Sequence, residues 1–429
     1  MQDTIFAPSS GAAPAAIAVI RISGPQAGEA LRALAGRLPA PRRASYGALR
    51  DSGGQVLDHA LLLWFPGPKT ATGEDLVELH CHGGRAVIAA VEQALSQLPG
   101  LRKAEPGEFT RRAFTNGRID LAEAEGLADL LSAETELQRQ SAMASAGGAL
   151  SALVDSWRQE VLSLSALVEA ALDFADEDDV GGLPADIPVR LGDLRFTIAQ
   201  WLDRPRAEAL REGFRVVIAG PPNAGKSTLF NALVESEAAI TAPIAGTTRD
   251  VLTHPVAIQG VPFRFFDTAG LRDETDDVVE AIGIERARAI VDQADLILWL
   301  GEEGQGPDAD DRLWEIAAQI DRADHHAKSQ PRHRVSAKSG EGVDDLRRDL
   351  VAHARAALPR PGEAALNQRQ HAALAAVVSA LHDAEARQDD PLLVGEGLRL
   401  ARVSLDRLLG RTTTEDMLDT LFGRFCIGK

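Results

Sequence analysis

The sequence predicts a multidomain protein of mixed α/β and α class. It has an N-terminal α+β domain, a domain of long helices, and a phosphate-loop α/β domain inserted into those helices. Three observations carry that prediction. An apolar run at 216–219 (Val-Val-Ile-Ala) flows into Gly220-Pro221-Pro222-Asn223-Ala224-Gly225-Lys226-Ser227, the pattern G-x-x-x-x-G-K-[ST] between a strand and a helix. Strand-like and helix-like segments alternate from 214 to about 356, the signature of a doubly wound parallel sheet. Helical periodicity, with apolar residues three and four apart and almost no proline, flanks that block on both sides.

Each part follows in order. Residues 1–117 hold β-like runs at 17–22, 60–65 and 76–80, with helix-like stretches at 25–35 and 85–97. They read as a small α+β domain. Residues 118–213 form the first part of the helical domain, its long helices starting at Leu121. They are interrupted near Gly147-Gly148 and stopped by an acidic loop around Asp176-Glu177-Asp178-Asp179 and Gly181-Gly182. A further helix at about 189–210 leads into the phosphate-loop strand. Residues 214–356 form the inserted sheet domain. After Pro359 and Pro361 the chain returns to helix, and 357–429 complete the helical domain, with helix from about 367 to 422.

The bulk composition narrows the function classes. A chain of 429 residues suits about three domains. Its longest apolar runs fall far short of the ~20 residues that span a bilayer, so no membrane role is expected. The N-terminus lacks a basic region followed by an apolar one, and two cysteines, Cys81 and Cys426, give no disulfide framework. A cytoplasmic location is the expectation. The net charge of −18 argues against a general nucleic-acid binder, but it is unevenly spread. Residues 1–120 carry 13 Lys/Arg and 11 Asp/Glu against 32 and 52 in the rest, so any RNA belongs near the N-terminal part or on a partner.

The nucleotide site can be followed along the chain. Gly220 and Gly225 let the backbone wrap phosphate oxygens, and the N–H groups of the following helix favour anions. Lys226 supplies positive charge to the β/γ-phosphates, and Ser227 a hydroxyl to Mg²⁺. In Gly246-Thr247-Thr248-Arg249-Asp250, a threonine can reach Mg²⁺ and the γ-phosphate. A strand at 263–266 ends in Asp267-Thr268-Ala269-Gly270. There Asp267 can hold the Mg²⁺ shell through water and the Gly270 N–H can sense the γ-phosphate. The base would be read by Ala318-Gln319-Ile320-Asp321, which keeps the aspartate of an N-K-x-D string but neither Asn nor Lys, and by Ser336-Ala337-Lys338. Guanine with weaker affinity than usual is the expectation. Leu271 follows Gly270, and leucine cannot orient an attacking water as a glutamine does. Hydrolysis therefore needs another group, for which Glu280 and Asp277 are in range.

Other motifs are less specific. Strand alternation puts His80 and His82 on one face and Cys81 on the other, with no further metal ligands clustered nearby. Cys426-Ile427-Gly428-Lys429 fits a prenylation box poorly. As a redox or catalytic thiol, Cys426 would have its pKa lowered by Lys429 and Arg424. Arg111-Arg112 suits either RNA phosphate or a solvated surface.

Taken whole, the chain resembles the MnmE (TrmE) family of tRNA-modifying GTPases. The resemblance rests on GPPNAGKST, GTTRD and DTAGLR, on RISGP (21–25), WFPGPKTATGEDLVELHCHGG (64–84) and PGEFTRRAFTNGRIDLAEAEGLADL (106–130), and on the terminal FCIGK (425–429). It implies a Ras-like G domain inserted in the helical domain and a tetrahydrofolate-binding N-terminal domain that forms a homodimer. It implies an FAD-containing MnmG-like partner in a heterotetramer or larger complex, and tRNA as substrate. The family's chemistry is addition of an aminomethyl or carboxymethylaminomethyl group at C5 of wobble uridine 34. The carbon comes from 5,10-methylenetetrahydrofolate or a formyl derivative, and the nitrogen from ammonium or glycine.

The resemblance also implies roles residue by residue. GTP is hydrolysed by G-domain dimerisation with K⁺ near the phosphates. Asn223 matches a K⁺ ligand, and Ala242, Ile244 and Thr247 would complete its shell. Ser227 and Thr248 match the Mg²⁺ ligands. Ala224, Gly225, Lys226, Thr228, Asp267, Thr268, Ala269, Gly270, Asp321, Ser336, Ala337 and Lys338 complete the GTP site. Lys226 and Glu280 are the catalytic pair, Glu280 orienting the water, and Asp277 returns to a solvated face. Arg21, Glu78, Arg118 and Lys429 match the folate site, with Arg118 standing where lysine is common. Two other readings are a GTP-driven switch in ribosome assembly without modifying activity, which would carry an RNA-binding appendage, and a nucleotidase with no RNA role.

Overall fold

Alternation of buried and exposed residues builds the first sheet. In β2 (Ile17–Ser23), Ala18, Ile20 and Ile22 are buried while Ile17, Val19 and Arg21 face the other way. β1 (Thr4–Pro8), β3 (Ser45–Arg50), β4 (Val56–Phe65), β5 (Leu76–His82) and β6 (Leu101–Lys103) join it in the order β3-β4-β5-β2-β1-β6. All neighbours are antiparallel except β1 and β6, which run parallel. The amphipathic helices α1 (Ala27–Ala35) and α2 (Arg85–Ser96) cover one face, where Leu31, Leu34, Val91 and Leu95 pack against Phe6, Ile20, Leu62 and Leu79. The other face keeps Ile17, Tyr46 and Leu61 exposed.

The computed structural model describes residues 3–173, 183–234, 253–267, 291–308, 310–323, 325, 327–412, 415–423 and 425–428. They form two compact units, Met1–Ala128 with Val403–Lys429, and Asp129–Arg402. The first unit is completed by α3 (Glu108–Thr115), by the start of α4 (Leu121–Ser132) and by the chain's last helix, α13 (Glu415–Phe422). Leu418, Phe422 and Phe425 bury against Leu121, Ala124 and Phe114. Two glycines permit that docking. A Cβ on Gly107 (φ 70°) would lie 2.1 Å from the Phe422 carbonyl oxygen, and one on Gly428 (φ 94°) 2.0 Å from the Pro8 carbonyl oxygen.

The second unit is built on a mostly parallel sheet whose central strands are apolar on both faces, as burial on both sides requires. Its strands are β7 (Phe214–Ala219), β8 (Thr253–Ile258), β9 (Val261–Asp267), β10 (Leu296–Trp299), β11 (Leu313–Ala317) and β12 (His333–Arg334). The order is β12-β11-β10-β7-β9-β8, with only β8 antiparallel to its neighbour. One face packs Val216, Ile218, Phe265 and Leu298 against Leu229 of α9 (Lys226–Val234) and Leu346 and Leu350 of α10 (Val343–Ala357). The opposite face buries Val217, Ala219 and Ile297 with Ala294.

Helices flank this sheet in sequence, as expected. α5 (Glu136–Ala146) and α6 (Ala149–Asp173) are separated at Gly147-Gly148, and α6 buries Leu150, Val154, Trp157, Val161, Leu164 and Val168 as a single stripe. The single helix expected at 189–210 is two, α7 (Ile187–Leu202) and α8 (Ala207–Glu212). Pro205 lies in the break and can supply no backbone donor. The stretch expected as helix from 367 to 422 is likewise α11 (Gln368–Glu385), α12 (Pro391–Leu408) and α13, with Asn367 capping α11 in a reciprocal box with Gln370. The acidic loop at 176–182 lies outside the described residues. The chain enters and leaves the sheet side by side: Ala207 N–H donates to Leu366 O (2.9 Å) and Gln368 N–H to Glu208 Oε1 (2.8 Å). Among the described residues no helix is long and apolar enough to cross a membrane.

Candidate functional site

The phosphate loop lies at the carboxyl end of β7. Gly220 takes φ 152° and Gly225 φ 91°, and Lys226 opens α9. The Lys226 side chain turns back over the loop, its Nζ donating to the carbonyl oxygens of Gly220 (3.0 Å) and Pro221 (2.9 Å). Those carbonyls hold the ammonium over the concavity that the glycines make. Ala224 is buried, while Asn223, Ser227 and Thr228 are exposed. Asn223 sits in the left-handed region at φ 62°, a conformation that asparagine tolerates better than most residues. Strand pairing sets Asp267, the last residue of β9, beside Ile218 at the same end of the sheet.

Next to the loop is a cavity of about 410 Å³, lined in part by Gly225, Thr228, Gln319, Asp321, Ala337 and Lys338. This joins both segments expected to face the base. Ser336, fully buried, donates its hydroxyl to Asp321 Oδ1 at 2.7 Å and accepts from the Ser339 N–H at 3.1 Å. The Ser336 hydrogen bond holds the Asp321 carboxyl below its ordinary value, so the group is an acceptor across the neutral range. Gln319 is a residue that sequence reasoning passed over. Its Nε2 donates to the Asn223 carbonyl at 3.1 Å, although it stands where the N-K-x-D pattern has lysine. Its position in that string was the available signal. Ala242, Ile244, Thr247, Thr248, Thr268, Ala269, Gly270, Leu271, Asp277 and Glu280 lie outside the described residues.

The second group of expected residues lies in the N-terminal unit. Register pairs Arg21 of β2 with Glu78 of β5, and the side chains meet with Nη2–Oε1 at 2.9 Å and Nε–Oε1 at 3.2 Å. The Arg21 guanidinium also lies 5.8 Å from the Phe109 ring centroid, and His80 Nε2 is 3.3 Å from Glu78 Oε2. Arg118 donates from Nε to the Thr70 carbonyl at 3.2 Å, its stem against Gly73. Ser9 Oγ donates to Gly428 O at 2.8 Å and Gly107 N–H to Cys426 O at 3.4 Å, so the tail runs back to β1. The Cys426 side chain is exposed; Lys429 and Arg424 lie outside the described residues.

His80 and His82 do share a face, but each meets a carboxylate, His82 Nδ1 lying 2.7 Å from Asp58. Cys81 is buried behind them, and burial pushes its thiol up to about 12. Among the described residues no three His, Cys, Asp or Glu side chains are placed to hold a metal. Arg112 fits neither of its two expected roles. It is largely buried, with Nη2 at 2.8 Å from Asp3 and 3.0 Å from Glu108 and Nη1 at 3.2 Å from Glu74. Arg111 pairs with Asp419 at 2.7 Å.

Comparison with known proteins bears on the whole chain. Residues 4–118 match the family model described as the GTP-binding protein TrmE N-terminus, and residues 121–426 match that of the MnmE helical domain. A protein of Novosphingobium aromaticivorans named tRNA modification GTPase MnmE is 66% identical over the full length of both chains. One of the same name from Erythrobacter litoralis is 63% identical, again over 100% of each. Among solved structures, the G domain of the T. maritima FeoB iron transporter aligns with 33% of this chain and 98% of its own, at 22% identity and a TM-score of 0.24.

Proposed function

The chain belongs to the MnmE (TrmE) family, and on that premise we propose that it is a GTPase of tRNA modification acting on the wobble uridine. GTP with Mg²⁺ is its substrate. The finer proposal is that, with an FAD-containing MnmG-like subunit, it supports addition of an aminomethyl or carboxymethylaminomethyl group at C5 of uridine 34. The observation that carries this reading is the return of the terminal FCIGK segment to β1, anchored by Ser9 on Gly428. It unites the two ends of the sequence in the unit that holds Arg21, Glu78 and Arg118.

The residues fit the groups they would hold. Glu78, held by Arg21 at 2.9 Å, suits the paired N–H donors of a folate derivative's pterin, and Arg118 and Lys429 suit its glutamate carboxylates. Ser227 in the first turn of α9 suits Mg²⁺, together with Thr248. The exposed, left-handed Asn223 suits a monovalent cation with Ala242, Ile244 and Thr247. Potassium there supplies positive charge toward the transferring phosphoryl group, which other GTPases obtain from an arginine. Lys226 draws charge from the same group, and Glu280 orients the water that Leu271 cannot. The exposed apolar residues Ile17, Tyr46 and Leu61 on one sheet face support a homodimer formed through the N-terminal domain.

The test is mass spectrometry of tRNA nucleosides from cells in which this gene is deleted. Loss of the C5 group at uridine 34, restored by the intact gene, is the expected result. Unchanged modification overturns the proposal.

A further inference from the structure

The charge asymmetry of the chain has a local source. Residues 30–50 hold five arginines and no Asp or Glu, and residues 59–73 hold Lys69 and again no acid, in a protein of net charge −18. Strand register brings these two stretches together. Ser45, at the start of β3, pairs with Leu62 of β4, and just beyond them the Arg42 N–H donates to Trp64 O at 2.8 Å. Arg42 takes φ 60°, a conformation that few non-glycine residues adopt. Its guanidinium donates to the Lys69 carbonyl and lies 5.7 Å from the Phe65 ring centroid. Arg37 donates to Ser45 Oγ (2.9 Å) and Tyr46 O (3.0 Å) at the same end of β3.

Arg37, Arg42, Arg43 and Lys69 are all exposed, and among the described residues none of them meets a carboxylate. The side chains of Arg43 and Lys69 make no hydrogen bond within those residues either. Exposed arginines elsewhere do find an acid: Arg32 reaches Glu29, Arg139 reaches Glu136 and Arg399 reaches Glu396, each at 2.7 Å. The bonds from Arg37 and Arg42 to neutral oxygens fix their direction without neutralising them. Cations held together in this way suit a polyanion, and the guanidinium fork matches phosphate oxygens. The other basic candidate, Arg111-Arg112, is already engaged by Asp419, Asp3, Glu74 and Glu108. A flat anionic membrane would face the rest of this acidic protein as well, whereas a nucleic acid can follow the patch alone.

We propose that this cluster is the RNA-contacting surface of the chain, with Arg37, Arg42, Arg43 and Lys69 binding backbone phosphates of the tRNA. Phosphate contacts position the RNA and leave sequence choice to other groups. The proposal rests on the reading of the chain as a GTPase of tRNA modification.

The test is fluorescence anisotropy of the full-length protein with a labelled tRNA transcript carrying uridine 34, across a series of KCl concentrations. Each phosphate contact contributes about 0.7–0.9 to the slope of log affinity against log salt. Arg43→Gln combined with Lys69→Gln removes two charges and no contact within the described residues. It is expected to lower that slope by about 1.5 and to weaken tRNA about tenfold, with fluorescent-GDP affinity as in the parent. Arg139→Gln combined with Arg399→Gln makes the same change in net charge and is expected to bind tRNA as the parent does. An equal loss in that control would reduce the effect to overall charge and overturn the proposal. An unchanged slope in the Arg43/Lys69 variant overturns the surface and leaves the family reading standing. Failure of the parent to bind tRNA, or a preference for phosphatidylserine vesicles over tRNA, overturns it too, and the uridine 34 analysis then decides the family reading by itself.

Discussion

Replacing Gly428 by alanine should free the C-terminal segment while leaving the nucleotide site intact. The residue sits at φ 94°, and an added Cβ would meet Pro8 O at 2.0 Å, Pro8 C at 2.8 Å and Ser9 Cα at 3.0 Å. Every one of those atoms is backbone, so no side-chain rotation can relieve the clash. Forcing alanine into such a conformation costs about 1–3 kcal/mol. Separating the segments also forfeits the 2.8 Å bond from Ser9 Oγ to Gly428 O, which contributes about 1 kcal/mol. Together these shift the docking equilibrium of the tail by roughly 30- to 700-fold, at about 1.4 kcal/mol per decade. Carboxypeptidase digestion followed by mass spectrometry should then remove the tail far faster than in the parent protein. In a deletion strain the variant should fail to restore uridine 34 modification, while its affinity for fluorescent GDP, read in the other unit, stays unchanged. Equal resistance to carboxypeptidase would refute the docking argument. A freed tail with normal modification would refute the tail's part in the chemistry.

GTP turnover should be much faster in K⁺ than in Na⁺ buffer, and equal rates would remove the role given to Asn223. Glu280→Ala should bind GDP and GTP as the parent does and lose hydrolysis; a comparable binding defect in the same titration would show that it does not act on the water. Leu137→Ala removes a buried side chain of the sheet core and should destabilise the second unit by about 2–5 kcal/mol, read as faster amide exchange in β8 and β9. Unchanged exchange there would mean that α5 does not brace the hairpin. Because Ser336 depresses the Asp321 pKa, GDP binding should persist at neutral pH and fall away as pH drops through that lowered value. Ser336→Ala should move this acid edge to higher pH, toward the ordinary carboxylate range, and coincident edges in fluorescent-GDP titrations would show that the hydroxyl does not set it.

What the sequence made legible was local. The run into Gly220 could be read because strand, loop and helix follow one another, and the alternation of β5 put His80 and His82 on one face, whereas Arg21 and Glu78 were named by the resemblance alone and paired by the strand register. Contacts across the chain were not legible. Nothing in the spacing of Ser9 and Gly428, 419 residues apart, announces their hydrogen bond. Arg112 reads as a surface residue because its charge is satisfied by Asp3 and Glu74, far away in sequence, as well as by Glu108 one helical turn away. β6 is three residues long and β1 ends in Pro8, so neither offers enough alternation to declare itself. Gln319 was hidden for a different reason. A degraded N-K-x-D string invites attention to what is missing, whereas the side chain present makes a contact of its own.

The helical segments are not merely wrapped around the inserted sheet; two of them, α5 and α8, are continuous with its core. Leu137 of α5 is buried with Phe214, Val256, Val261 and Phe263, and its N–H donates to Gly260 O at 3.1 Å. Gly260 closes the turn between β8 and β9, and β9 runs from that turn to Asp267. The same helix reaches the segments by which the chain enters and leaves the sheet, through Gln138 Nε2 to Leu210 O (2.8 Å) and Ser141 Oγ to Glu363 O (3.0 Å). A paired hairpin is stiff along its strands, because shifting one residue of register would expose its whole buried face. The turn at its far end is held by two helices, α5 through Leu137 N–H on Gly260 O (3.1 Å) and α10 through Arg355 on Gln259 O (3.4 Å). Three hydrogen bonds and one leucine thus tie α5 both to the hairpin and to the two segments that join the sheet to its flanking helices.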